Sequence, residues 1–187
     1  MNLSFRGRDL SELRLRASAL EAAERWDDAV HEYDTALKID PSLTFARQGR
    51  ARAAAHAELA GRMQALIDDP QRLGSPGVHT EAVALIHEAD TQQSAGPVMR
   101  SLATRLGILL PEYDKPVHLA LVSDNATQVA IPQIGTFGAF ARRDIELKPG
   151  KYTVVGTRAG FRDVRRDVTV APGQDVQTIS VRCVEPI

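Results

Sequence analysis

Six arginines crowd between residues 142 and 166: Arg142, Arg143, Arg158, Arg162, Arg165 and Arg166. Guanidinium forks grip carboxylate or phosphate in pairs, so such a cluster is a candidate anion-binding face for a polysaccharide, an acidic protein or a lipid headgroup. The ordinary alternative is a solvated sheet face. Asp163 and Asp167 flank Arg165 at two-residue spacing, which on a strand places them on its own side. Nucleic acid is the weaker form of the same idea, because Phe161 alone accompanies the arginines and its turn position already explains it. Arg166 falls on the side of Val164 and Val168 and breaks the alternation, which predicts a bend or an edge position there.

No catalytic constellation stands out. His31, His56, His79, His87 and His118 form no close ligand pair, and His79 and His87, eight apart, share at most one helix face. Cys183 is the single cysteine, so no intrachain disulfide forms, and a buried strand cysteine is the simplest reading. There is no nucleophile elbow and no phosphate-binding loop, and no cofactor or metal is implied. The carboxylates Asp144, Glu146 and Asp163 are the only support for a small carbohydrate-active enzyme or accessory domain. Two of them alternate on one strand face, where nothing would shift a pKa for acid/base work.

The elements that position these residues change character along the chain. Before Pro116 the apolar spacing is helical. Leu10, Leu13, Ala17 and Leu20 make one face over 9–23. Ala29, Val30, Tyr33, Ala36 and Leu37 make a second, with Asp27 or Asp28 as its cap and Pro41 as its stop. A long third helix runs from Leu43 to Ile67. After the breaker-rich stretch 68–77 a fourth helix follows, with Thr80 as a possible cap. A fifth opens on Pro97 and carries Leu102 and Leu106. After Pro116 the period becomes two: Val117, Leu119 and Leu121, then Val129 and Ile131, then Ile145, Leu147, Tyr152 and Val154. Val164, Val168 and Val170 follow, with Ile179, Val181 and Cys183 last. Gly135–Phe140 reads as a hairpin or bulge, and Pro149-Gly150 and Pro172-Gly173 read as turns whose glycines take positive φ. The expected fold class is therefore α+β in two domains. An α-helical domain spans 1–110, a short stiff linker 111–116, and an antiparallel β-sandwich of about seven strands 117–187.

Two stretches carry family resemblances. RWDDAVHEYDTALKIDP resembles the second helix of a tetratricopeptide repeat, with Ala29, Tyr33, Ala36 and Pro41 at the small, aromatic, small and proline positions. Gly49 stands where the next repeat needs a small residue, and the resemblance covers about 9–67. LKPGKYTVVGTRAGFRDV followed by VTVAPGQD resembles the second half of a PEGA domain through Leu147, Pro149, Gly150, Tyr152, Gly160 and Phe161. The first half departs from that family, since DNATQVAIPQIGTFGAF replaces its namesake stretch. Both resemblances imply interaction modules. The first implies a concave surface for a protein partner. The second implies a place outside the cytoplasm, on the periplasmic face of a bacterial membrane, where the arginine face would meet peptidoglycan or another anionic envelope polymer.

Bulk properties agree with a soluble globular class and exclude a polycation, with a formal net charge of −1. Residues 1–114 carry 13 Lys/Arg against 17 Asp/Glu, and residues 115–187 carry 10 against 7. The amino-terminal stretch shows no apolar signal-peptide core, and no run reaches the length of a membrane span. The functional expectation is a non-enzymatic scaffolding module of the cell envelope. Its alternative is a cytoplasmic regulatory adaptor of the same fold.

Overall fold

The computed structural model describes residues 3–92, 96–174 and 176–187. The chain is α+β, with a helical amino-terminal part followed by two sheets. It divides into two compact units, residues 1–65 with 84–106 and residues 66–83 with 107–187.

Five α-helices are described: α1 (Leu3–Ala22), α2 (Trp26–Ile39), α3 (Thr44–Asp68), α4 (Pro76–Thr91) and α5 (Pro97–Asp114), with a 3₁₀ turn at Pro70–Gly74. In the first unit α1, α2 and the start of α3 share a core of small residues, Ala17, Ala29, Ala36, Ala46 and Ala53, around the buried ring of Tyr33. Small residues let helix backbones approach, and the large one fills the groove between them. Gly49 shows how close the approach is. A Cβ built there would lie 2.2 Å from Tyr33 Cζ.

Helix α1 ends on Glu24, which adopts a left-handed φ of 55°. The Glu24 N–H donates to the Glu21 carbonyl and the Arg25 N–H to that of Leu20, both at 2.9 Å. This pattern usually employs glycine at the left-handed position. Glu24 holds it while its carboxylate serves a neighbouring helix, accepting from the N–H groups of Val98 at 2.6 Å and Met99 at 3.0 Å and so capping α5. Expectations for two other helix starts need correction. Arg25 occupies the cap position of α2 and makes no side-chain cap bond, while Asp27 and Asp28 lie inside the first turn. There they still favour the positive end of the helix dipole. Thr80 lies within α4 and donates to the Pro76 carbonyl.

The second unit holds seven strands: β1 (Val117–Val122), β2 (Gln128–Ile131), β3 (Gly135–Ala139), β4 (Arg142–Leu147), β5 (Gly150–Thr157), β6 (Val164–Val170) and β7 (Gln177–Ser180). One sheet has the order β4-β1-β7 and the other β3-β2-β5-β6. All pairings are antiparallel except β1 with β7. One apolar cluster draws on both sheets, including Leu119 and Leu121 from the first and Val129, Ile131, Val154 and Val170 from the second. Those are the alternating positions that period two selects.

Four local features depart from the sequence reading. The stretch expected as a linker is helical to Asp114, with Pro111 inside α5. The proline forfeits one helix hydrogen bond, and burial of Tyr113 at 6% exposure helps to offset the cost. Positive φ occurs at Gly135, Gly138, Gly160 and Gly173 but not at Gly150, which begins β5 in a buried position. Tyr152, expected as a core anchor, is half-buried against the cluster and donates its hydroxyl to the Lys148 carbonyl at 2.8 Å, bridging the turn into β5. Finally, β7 ends at Ser180, yet Val181 and Cys183 stay buried. The Val181 N–H still donates to the Val122 carbonyl at 2.9 Å, and side chains take over from there: Ser123 donates to the Val181 carbonyl at 2.7 Å, and Thr127 Oγ1 accepts from the Cys183 N–H at 3.0 Å.

The predicted irregularity near Gly138 is a bulge. Val129 pairs with Gly138 and Ala130 with Thr136, so Phe137 is the extra residue. Each sheet edge is blunted by a different device. Strand β3 is bulged, β4 carries Arg142, Arg143, Asp144 and Glu146, β7 is four residues long, and β6 bears Arg166 opposite the buried Val154. Arg166 stays exposed although its strand partner Val154 is buried, and a charge at such an edge position is a known guard against pairing with other chains, which accounts for the broken alternation.

Candidate functional site

The arginines that stand together in sequence lie on different elements of the second unit. Arg142 and Arg143 are on β4 of the three-stranded sheet, while Arg165 and Arg166 are on β6, an edge of the four-stranded sheet. Arg142 reaches Asp144 Oδ1 at 3.1 Å. Arg143 donates to the Phe137 carbonyl at 2.9 Å and lies 5.3 Å from that ring's centroid, so it braces the bulge. Arg158 sits 4.2 Å above the Phe161 ring and 3.6 Å from Asp124. Arg162 faces Glu185 at 3.7 Å, and its N–H donates to the Glu185 carbonyl. Four of the six therefore have local partners. Arg165 and Arg166 make no side-chain hydrogen bond or ion pair among the described residues; Asp167, flanking Arg165, accepts from Thr153 instead.

Asp124 beside Arg158 is a turn-former. Its carboxylate accepts from the backbone N–H groups of Thr127 and Ala126, and these bonds depress its pKa to about 2. Of the carboxylates considered for chemistry, Asp144 pairs with Arg142, Glu146 faces His118 at 3.3 Å, and Asp163 is exposed. None lies in an enclosed pocket with a second unpaired acid. Among the described residues no group of three His, Cys, Asp or Glu is placed to hold a metal ion. No helix there is long and apolar enough to cross a membrane.

One concavity of the first unit was not singled out by sequence. A cleft of about 330 Å³ is lined by Ser18, Glu21 and Ala22 of α1, Glu24, Trp26 at the start of α2, Arg52 and His56 of α3, and Gly96. One Arg52 nitrogen donates to both oxygens of Glu21, at 3.1 and 2.9 Å, and these bonds raise the Arg52 pKa above its ordinary value. Burial and, next, the nearby Glu21 charge raise that of Tyr33. The rings of Trp26 and His56 stack with centroids 5.9 Å apart and planes 9° from parallel. His56 Nδ1 lies 2.9 Å from the Arg52 carbonyl. A carbonyl only accepts, so Nδ1 carries the hydrogen and Nε2 is left as an acceptor in the neutral ring. Gly96 leaves room for the Glu24 cap, since a Cβ there would lie 2.4 Å from Glu24 Cδ.

Two signals could have found this cleft: the chain's only tryptophan at a helix start, and Arg52 and His56 one turn apart on α3. In the second unit, another cleft, of about 510 Å³, is lined by Gly74, Pro76, Ile134, Leu147, Lys151 and Tyr152 among others. Comparison with protein-family models and with curated proteins finds no match to this chain.

Proposed function

We propose that this chain is a non-enzymatic interaction module whose helical unit receives a segment of a protein partner in the cleft between α1 and α3. The observation that carries the reading is the Trp26–His56 stack in the lining of the cleft, beside the hydrogen-bonded Glu21 and Arg52. Rigid aromatic surface beside fixed hydrogen-bonding groups is the composition of binding hot spots. The tetratricopeptide-like pattern of Ala29, Tyr33, Ala36 and Gly49 supports it, because that pattern builds paired helices with a groove. The two sheets are read as the layers of a small β-sandwich that forms a second domain. The apolar cluster common to both sheets supports this. The PEGA-like resemblance over about 117–183 supports a place at the periplasmic face of a bacterial membrane, which fractionation of the natural gene product tests.

Selection of peptides from a random display library tests the binding reading. A consensus sequence is expected whose binding falls at least about tenfold in Trp26→Ala and His56→Ala. Failure to select any consensus, or a consensus indifferent to both substitutions, would refute it.

A second reading is favoured by the two arginines on β6 without partners among the described residues: that edge binds an anionic envelope polymer. Co-sedimentation with purified peptidoglycan would then weaken with salt and in Arg165→Gln/Arg166→Gln. Equal co-sedimentation of the double variant would remove the idea.

A further inference from the structure

We infer that the α1–α3 cleft is selective for a basic side chain, a lysine or arginine carried by the bound segment. This rests on the segment-binding reading above and names its chemistry. The cleft lining holds two carboxylates, Glu21 and Glu24, against one guanidinium, Arg52. The Arg52 charge is balanced by Glu21, both of whose oxygens accept from one Arg52 nitrogen. Glu24 is held by the N–H groups of Val98 and Met99, which fix the carboxylate at the positive end of α5, and among the described residues it forms no ion pair with a cationic side chain. Each of its oxygens keeps a lone pair beyond those two bonds.

The remaining lining matches the same ligand. In the neutral ring His56 Nε2 is an acceptor, because Nδ1–H is turned to the Arg52 carbonyl. Trp26 is the best of the aromatic rings for a cation over its face. An ammonium or guanidinium supplies donors to the carboxylate and the imidazole, while its methylene stem lies along the ring. A carboxylate-bearing segment would meet Glu24 while Arg52, the cation of the lining, is engaged elsewhere. A neutral amide would gain the hydrogen bonds without the charge.

The chain's only tryptophan lies in this cleft, so its fluorescence reports occupancy there directly. Short Gly-Ser peptides with a central Lys, Arg, Gln or Glu are titrated into the full chain while Trp26 emission is followed. Lys and Arg peptides are expected to bind at least about tenfold tighter than the Gln peptide, and the Glu peptide weakest. Raised salt should narrow that advantage. Glu24→Gln, which keeps the side-chain shape and one carbonyl acceptor for α5, should abolish it with the helical circular dichroism intact. Should Glu24→Gln lose helix, the salt titration of the unaltered protein decides: an advantage insensitive to salt overturns the inference. Equal binding of Gln or Glu peptides overturns the charge selectivity and leaves segment binding standing. If no peptide of the set moves Trp26 emission, the inference falls, and the display selection alone decides the broader reading.

Discussion

Replacing Gly49 by alanine sets two opposed effects against each other in one helix. In a helix interior, glycine to alanine normally stabilises by about 1 kcal/mol, because the unfolded chain loses conformational freedom. Gly61, also on α3, is the matched control, with nothing within 4 Å of a Cβ built there. Gly61→Ala should therefore gain up to about 1 kcal/mol. At Gly49 the new methyl would lie 2.2, 2.6 and 2.7 Å from three atoms of the Tyr33 ring. Carbon atoms rest at about 3.5–4.0 Å, so the ring or the helix must move by roughly 1 Å. Tyr33 is 3% exposed and packed among Ala17, Ala29 and Ala36, which leaves it little room. Overpacking of this kind costs about 1–3 kcal/mol. Net of propensity, Gly49→Ala should destabilise by up to about 2 kcal/mol, and the two alanine variants should differ by about 1–3 kcal/mol. Urea unfolding followed by Trp26 fluorescence reads the helical unit. A shift of about 2–4 °C in Tm per kcal/mol is expected in parallel. Tyr33→Leu in the Gly49→Ala background should relieve the clash, giving a non-zero coupling in the double-mutant cycle. If Gly49→Ala stabilises as Gly61→Ala does, or the coupling is zero, the close-approach argument is wrong.

Three further outcomes follow from the second unit. Asp124 has a folded pKa of about 2 against an ordinary 3.8, so its contribution is complete above the higher value and is lost as pH falls through the lower. The difference in urea midpoint between wild type and Asp124→Asn should be flat above about pH 4 and shrink toward zero near pH 2; a difference that grows on acidification would contradict this. Thr127→Val preserves shape but leaves the buried Cys183 N–H without its acceptor, which should cost about 1–3 kcal/mol by denaturant titration. Gly74→Ala would place a Cβ 1.7 Å from the Pro149 carbonyl oxygen, a backbone atom that cannot rotate away. A loss at the upper end of the roughly 1–3 kcal/mol overpacking range is expected, and a neutral effect would show that the 3₁₀ turn relaxes freely.

Periodicity carried the element types. Leu10, Leu13 and Ala17 marked α1, and the long apolar pattern from Leu43 to Ile67 ran without a breaker, as α3 does. Alternation from Val117 onward located the strands because each must put every second residue into the core. Local capping was less legible. Asp27 and Asp28 are good cap types, but the cap position falls on Arg25, two residues before Asp27 and directly after the left-handed Glu24. Pro111 looked like a helix stop, and the tertiary burial of Tyr113 overrode it. The cleft was hidden for a different reason. Glu21 and Arg52 are 31 residues apart, and Glu24 meets Val98 and Met99 across 74 and 75. No short-range pattern encodes such meetings. The arginines illustrate the reverse, for neighbours in sequence were distributed over two sheets.

The four blunted edges also decide what kind of assembly a single mutation could start. Strands β3 and β6 bound the same sheet, and each is closed by its own device. Exchanging Arg166 for valine would open β6 alone. Two copies could then join β6 to β6 antiparallel about a two-fold axis, and the union would consume the only open seam and stop at a dimer. Growth without end requires both borders of one sheet to be receptive at once, so regularising the bulge at Phe137 as well would be needed before copies could add indefinitely. The molecule is thus two independent lesions away from a fibre, a margin set by the chemistry of its borders and separate from how stably either unit folds.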